Sequence, residues 1–350
     1  MFRIQEDDAI DENSWVFIAA IRRAAWRVPL WLTCGVILGL FALALAAPTH
    51  DWFRGAVGSR YAVGEVAVGL DTVFRTDHGS AMRELSSGVS ATALVLQALA
   101  LLLGVFAAGG WLQVILERTH GQYLRRFLLG GWRYFWRFLR VALLAFVVAA
   151  LFRWVLYGMP WQSVVLEGWM EIPKSDLRSM ESVDSELIVR RLGWAQDGLM
   201  ALMFALTLVW ATYTRTRLAL HDTRSVLWAG WCSFGSMLAH PIKTLRPMIL
   251  LALMEALVVV GLCGAATAWL EGRLALEPER WLVLALGATG LVALIWREIL
   301  RGARYYAAVR VSKTVVKPSL RPDPWNVIGG PGGPQYPMGD EDDERYEVAV

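Results

Sequence analysis

The chain has 350 residues, of which 56% are hydrophobic, only 19% are charged and 18 are Trp. A soluble domain runs at about 45–50% apolar and about 25% charged, so this balance excludes an ordinary soluble fold and points to lipid. The formal charge of +3 hides an asymmetry along the chain, and no nucleic-acid partner is expected.

A bilayer core about 30 Å thick needs roughly 20 apolar residues of helix. Six stretches qualify: Val28–Ala47, Ala91–Leu116, Phe138–Tyr157, Ala195–Thr214, Met248–Leu270 and Trp281–Leu300. No backbone polar group can stay unpaired in lipid, so each is expected to be helical. The predicted fold is all-α and integral to a membrane, with six transmembrane helices in three two-span repeats and cytoplasmic interfacial amphipathic helices. Residues 1–27 form a cytoplasmic N-terminal region, 28–311 the membrane domain and 312–350 a tail.

Taken in chain order, Ser14–Arg27 reads as a short interfacial helix capped by Ser14 and leading into Pro29. The first span ends Ala42-Leu43-Ala44-Leu45-Ala46-Ala47-Pro48, small residues at alternate positions as at a signal-peptidase site. Its apolar run is longer than the roughly 7–15 residues of a signal core, so the span is expected to stay in place. The first outer loop, Pro48–Ser90, alternates weakly between Tyr61 and Gly69, which fits a hairpin or a helix on the outer leaflet equally.

The segment before the third span is amphipathic. At about 100° per residue, Arg126, Arg133, Arg137 and Arg140 share one side, and Leu124, Phe127, Leu128, Phe135, Phe138 and Leu139 share the other. A helix so divided lies in the interface, with its cations toward water and lipid phosphate. Anchoring is its first expected role, with binding of anionic lipid headgroups or a protein partner as a second.

Sliding the chain on itself by 99 residues exposes a repeat. Trp111, Arg118, Arg125, Leu128, Gly131, Trp132, Phe135 and Leu139 recur as Trp210, Arg217, Arg224, Leu227, Gly230, Trp231, Phe234 and Leu238. Both copies read Gly-Trp-x-x-Phe ahead of a span. In the later copy, Leu227, Trp231, Phe234 and Leu238 make an apolar stripe closed by His240-Pro241. A third copy is expected by layout, opened by Ser14–Arg27 and the first span, and the last unit ends with Trp296, Arg301 and Arg304, a looser version of the inner-end pattern. Between the copies, the second outer loop, Met159–Arg191, predicts a helix from Ser175 to about Leu192, with Ser175 as cap and Arg178 and Glu181 polar.

The fifth span carries an acid, Glu255, roughly 12 Å of helix inside it. Such a carboxylate costs several kcal/mol unless paired or protonated, so it is expected to face the bundle interior. Arg297 on the sixth span is the expected partner, with Gln97 and Gln113 as alternatives. An interhelical clamp and a ligand or proton site both fit. Arg153 and Asp197 fall near the outer ends of their spans, where they can reach the interface. After Lys317 a Pro- and Gly-rich run and the acidic Asp340-Glu341-Asp342-Asp343-Glu344 predict a disordered tail.

Orientation follows from the basic residues. Counted with their flanking ends, the N-terminus, second and fourth loops and tail hold 23 Arg and Lys against 11 in the other three loops, so both termini are expected in the cytoplasm. The 30 Arg against 4 Lys suggest a GC-rich bacterial genome and hence the bacterial inner membrane. Trp26, Trp31, Trp111, Trp132, Trp136, Trp210, Trp228, Trp231 and Trp296 ring one boundary. Trp52, Trp154, Trp161, Trp169, Trp194, Trp269 and Trp281 ring the other.

No phosphate loop, H-E-x-x-H, C-x-x-C or G-x-S-x-G occurs. The five His are scattered, and Cys34, Cys232 and Cys263 read as packing residues. No catalytic residue, metal or cofactor is expected. The layout resembles the uncharacterised six-span bacterial membrane proteins with repeated two-span units and an inner, Arg-rich helix, a likeness that implies no established activity. It also resembles the permease subunits of ABC exporters, although a three-unit repeat is not usual in them. The expected function is a non-enzymatic scaffold or accessory component of a transport or envelope-assembly system. The alternative is a transporter or ABC-exporter-type permease with a polar site around Glu255.

Overall fold

The computed structural model describes residues 16–57, 72–117, 122–167, 186–276 and 280–315. Outside short turns, every one of these residues is helical. In chain order the helices are α1 (Val16–Ala25), α2 (Val28–Val57), α3 (Thr72–Leu116), α4 (Tyr123–Tyr157) and α5 (Glu186–Leu220). Then come α6 (Val226–Ala239), α7 (Pro241–Glu255), α8 (Gly264–Leu276) and α9 (Arg280–Val315). A π-helical stretch, Ala256–Cys263, joins α7 to α8 without a break, and Met159–Trp161 runs into a second one, Gln162–Glu167.

Six helical segments are long and apolar enough to cross a membrane. Their outer faces are studded with exposed large side chains, among them Val260, Leu262, Leu284 and Phe146. Water would not tolerate so much contiguous apolar surface, and hydrocarbon does. The chain is a multi-pass membrane protein.

The helices overrun the predicted spans. α2 continues ten residues past Ala47 to Val57, straight through Pro48. Proline removes one N–H, a loss that a spanning helix tolerates where its surroundings re-satisfy the freed carbonyl. The added turns are met from α3 by His78, whose ring stands edge-on to Trp52 at 6.3 Å. α3 starts at Thr72 and reaches about 68 Å in length, far more than a bilayer core requires. Helix thus occupies both ends of the predicted loop Pro48–Ser90, and its alternating stretch Tyr61–Gly69 lies outside the described residues. So do Ser14, Ser175, Arg178, Glu181 and the tail from residue 316. Helix α9 carries on to Val315, past the predicted start of the tail at 312.

The segments before the spans are not alike. α1 and α6 are separate short helices, each followed by a proline in the first turn of the next helix, Pro29 and Pro241. Proline at that position starts a helix readily but cannot accept the geometry of one arriving from upstream. No proline lies between Tyr123 and Tyr157, and there the basic segment and the third span form a single helix of 35 residues. Ser225 caps α6 by accepting from the Trp228 N–H at 3.3 Å.

Two compact units divide the chain. One takes Met1–Phe135 and Ile242–Arg310, the other Trp136–Pro241 and Val311–Val350. In the first unit α3 and α4 meet at glycines. A Cβ on Gly130 would stand 2.2 Å from Gln113 Cβ and 2.8 Å from the Gly109 carbonyl, so only hydrogen lets the backbones approach. In the second, α6 lies on α5 with its small face, Ala229, Gly230 and Ser233, buried. Its large stripe, Leu227, Trp231, Phe234 and Leu238, is wholly exposed.

A candidate polar site between the fifth and sixth spans

The first unit holds a group of charges in helices otherwise suited to lipid. α7 supplies Glu255 from its last position, and α9 supplies Arg297, Glu298, Arg301 and Arg304. On a helix Arg297, Arg301 and Arg304 follow the i, i+4, i+7 rule and share one face. Glu255 reaches across to that face. Its Oε2 accepts a hydrogen bond from Arg304 Nη2, and its Oε1 lies 3.8 Å from Arg297 Nε. One carboxylate thus ties two guanidinium groups two turns apart.

The expected partner Arg297 is present but is the weaker contact; Arg304 is the hydrogen-bonded one. The end of α7 thus meets α9 beyond position 297. Gln113 donates instead to Glu117 on the next turn of its own helix. Gln97 is exposed on α3 and is not joined to Glu255.

Glu298 is the residue that hydropathy does not reveal. Its side chain is 0% exposed, and Arg301 Nη1, one turn on, stands 3.0 Å from each of its oxygens and donates to Oε2. Oε1 receives no hydrogen bond. Its neighbours in sequence are small: Gly302, Ala303, Ala307 and Ala308 are all buried. That run is the signal which predicts a helix packed on every side, and with it a buried acid. Trp111 of α3 lies across Gly302, where a Cβ would stand 2.7 Å from its ring.

Beside this group, Arg27 joins several chain segments. Its Nη1 donates to the Val114 carbonyl at 2.9 Å, and its guanidinium lies over the rings of Tyr123 (5.2 Å) and Tyr306 (5.1 Å). Burial pulls its pKa down, yet no accessible pH discharges an arginine. It serves as a permanent cation held by ring faces and a carbonyl.

The basic stripe is distributed differently from the helical wheel. Arg126 Nε lies 3.4 Å from Glu117, Arg133 sits over Tyr134 at 5.5 Å, Arg137 bonds Asp222, and Arg140 is exposed. The face predicted to be apolar splits in two. Phe127 and Phe138 are buried, Leu124 and Leu128 are exposed, and Phe135 and Leu139 lie between, while Trp132 and Trp136, outside that predicted face, are exposed as well. The helix therefore has a protein face, a basic face and an aromatic outer face.

The second unit has a smaller polar latch, in which Tyr157 donates to Asp197 and Gln196 to the Leu156 carbonyl. Among the described residues no group of His, Cys, Asp and Glu is placed to hold a metal. No family model, curated protein or solved structure matches the chain.

Proposed function

We propose that the chain is a non-enzymatic scaffold or accessory component of a transport or envelope-assembly system in the bacterial inner membrane. The observation that carries this reading is the pairing of Glu255 by both Arg304 and Arg297. A carboxylate neutralised from two sides on a neighbouring helix is built to fasten helices. A solute site would keep it available.

The excess of Arg and Lys on alternate loops supports cytoplasmic termini. The exposed stripe of α6 and the basic and aromatic faces of α4 suit helices resting at the inner leaflet, on anionic headgroups. The repeat gains support from its glycines. A Cβ on Gly131 would meet Phe106 at 2.5 Å, and one on Gly230 would meet Trp210 at 2.9 Å. Both glycines of Gly-Trp-x-x-Phe thus admit an aromatic ring from the helix before.

One observation favours the permease reading. The backbone turns π-helical directly after Glu255, from Ala256 to Cys263, and such distortions concentrate at functional sites. Glu255→Gln separates the two. On the scaffold reading it lowers the melting temperature of the solubilised protein and leaves solute uptake by expressing cells unchanged. Loss of an uptake activity at unchanged stability decides for the permease. Gentle solubilisation that always yields the chain alone, with no co-purifying subunit, would count against the scaffold.

A further inference from the structure

Arg297 is the member of the charged group that faces outward. Its side chain is 60% exposed, whereas those of Arg301 and Arg304 are 24% and 30%. Its contact to Glu255 runs through Nε at 3.8 Å, and its two terminal nitrogens have no protein acceptor among the described residues. The group sets three guanidiniums against two carboxylates, Glu255 and Glu298, so one positive charge is left over.

Depth gives that charge a meaning. Trp281 stands near the start of α9, and Arg297 lies about 24 Å further along the helix. In a hydrocarbon core about 30 Å thick, that places its guanidinium within side-chain reach of the opposite headgroup layer. Toward the middle of the span the same face carries Gly290, Ala293 and Leu294, and the space where a Gly290 Cβ would sit is open. Beside it Leu291 and Val292 are exposed. The cation thus sits at the foot of a shallow apolar shelf.

A guanidinium engaged only through Nε, in a group with a positive charge to spare, is costly at the edge of hydrocarbon unless an anion meets its terminal nitrogens. A phosphate does so through two parallel N–H···O bonds, which the free terminal nitrogens are placed to give. We propose that Arg297 binds the phosphate of an anionic phospholipid whose acyl chain lies along α9 over Gly290, Ala293 and Leu294. The site rests on these helices spanning a bilayer. It depends on neither the scaffold role nor the choice of cytoplasmic face.

Native mass spectrometry of the full-length protein, with phosphatidylglycerol or phosphatidylcholine added, tests it. The wild type is expected to hold phosphatidylglycerol under activation that strips phosphatidylcholine. Arg297→Gln is expected to weaken that retention about tenfold, and Arg297→Lys, which keeps the charge but loses the paired bonds, by less. Arg273→Gln, which removes an exposed cation lying over Trp269 away from this group, leaves it unchanged. Equal retention by Arg297→Gln, equal retention of the two lipids, or displacement by millimolar inorganic phosphate overturns the proposal. If Arg297→Gln does not elute as the folded protein, Arg297→Lys carries the test, and undiminished retention by it is then the overturning result.

Discussion

Glu255 and Arg304, 49 residues apart in sequence, are hydrogen-bonded to each other across two membrane-spanning segments. Removing one partner leaves the other charged in a place poor in water. Breaking a fully buried pair costs about 3–5 kcal/mol. Both side chains here retain some exposure, so about 1–3 kcal/mol is expected for Glu255→Gln or Arg304→Gln alone. The double variant should recover part of that loss, because neither charge is then stranded. Melting curves of the four proteins in one detergent measure the coupling; strictly additive losses would show that the pair contributes nothing.

How much of this was legible in the sequence depended on what each residue's neighbours concealed. Glu255 stands out because Leu250–Met254 and Ala256–Val260 around it are apolar. Glu298 does not, because Arg297 and Arg301 flank it and make the stretch look like the end of a span. The six spans follow from hydropathy, but their ends do not. Hydropathy registers where lipid ends, whereas helices α2 and α3 continue past it as long as side chains such as Trp52 and His78 find each other. The wheel sorted the residues of α4 by polarity alone. It could not tell which apolar residues face protein, since Phe127 and Trp132 are equally hydrophobic and differ only in which helix stands opposite.

His221, in the turn between α5 and α6, gives a pH prediction. Burial first, and the nearby Arg217 second, hold its pKa below the ordinary value of 6.5. As pH falls through 6.5 the unfolded chain takes up a proton that the folded chain resists. The contribution to stability is therefore full above that value and declines on acidification. The slope from this group is at most about 1.4 kcal/mol per pH unit. The wild type should lose more melting temperature between pH 7.5 and pH 5.5 than His221→Gln does. Parallel loss in the two proteins would remove His221 from the account.

The next residue, Asp222, tests backbone and charge together. It adopts φ 47°, in the left-handed region, and pairs with Arg137. Asn tolerates that conformation and can still accept a hydrogen bond, Gly tolerates it with no side chain, and Ala does neither. Stability is expected to fall in the order Asp, Asn, Gly, Ala. The ion pair is half-exposed and contributes about 1 kcal/mol or less, while the Gly-to-Ala step adds roughly 1–2 kcal/mol of strain. Asp222→Ala matching Asp222→Gly in chemical denaturation would mean that the turn relaxes without cost.

The two glycines matched at an offset of 99 residues offer the sharpest test of the packing. Gly230→Ala would press a methyl group against Trp210 at 2.9 Å. That ring cannot swing aside freely, because its Nε1 donates to the Gly230 carbonyl at 2.8 Å. Over-packing of this kind costs about 1–3 kcal/mol. Trp210→Phe loses the bond, worth about 0.5–1.5 kcal/mol, but makes room. The two changes together should therefore be less harmful than their sum. Gly131→Ala meets Phe106 at 2.5 Å and should be at least as damaging, with Phe106→Leu relieving it. Thermal melts of both cycles should show sub-additive losses. Additive losses at either glycine would mean that its neighbour yields easily and that the close approach of the helices there is incidental.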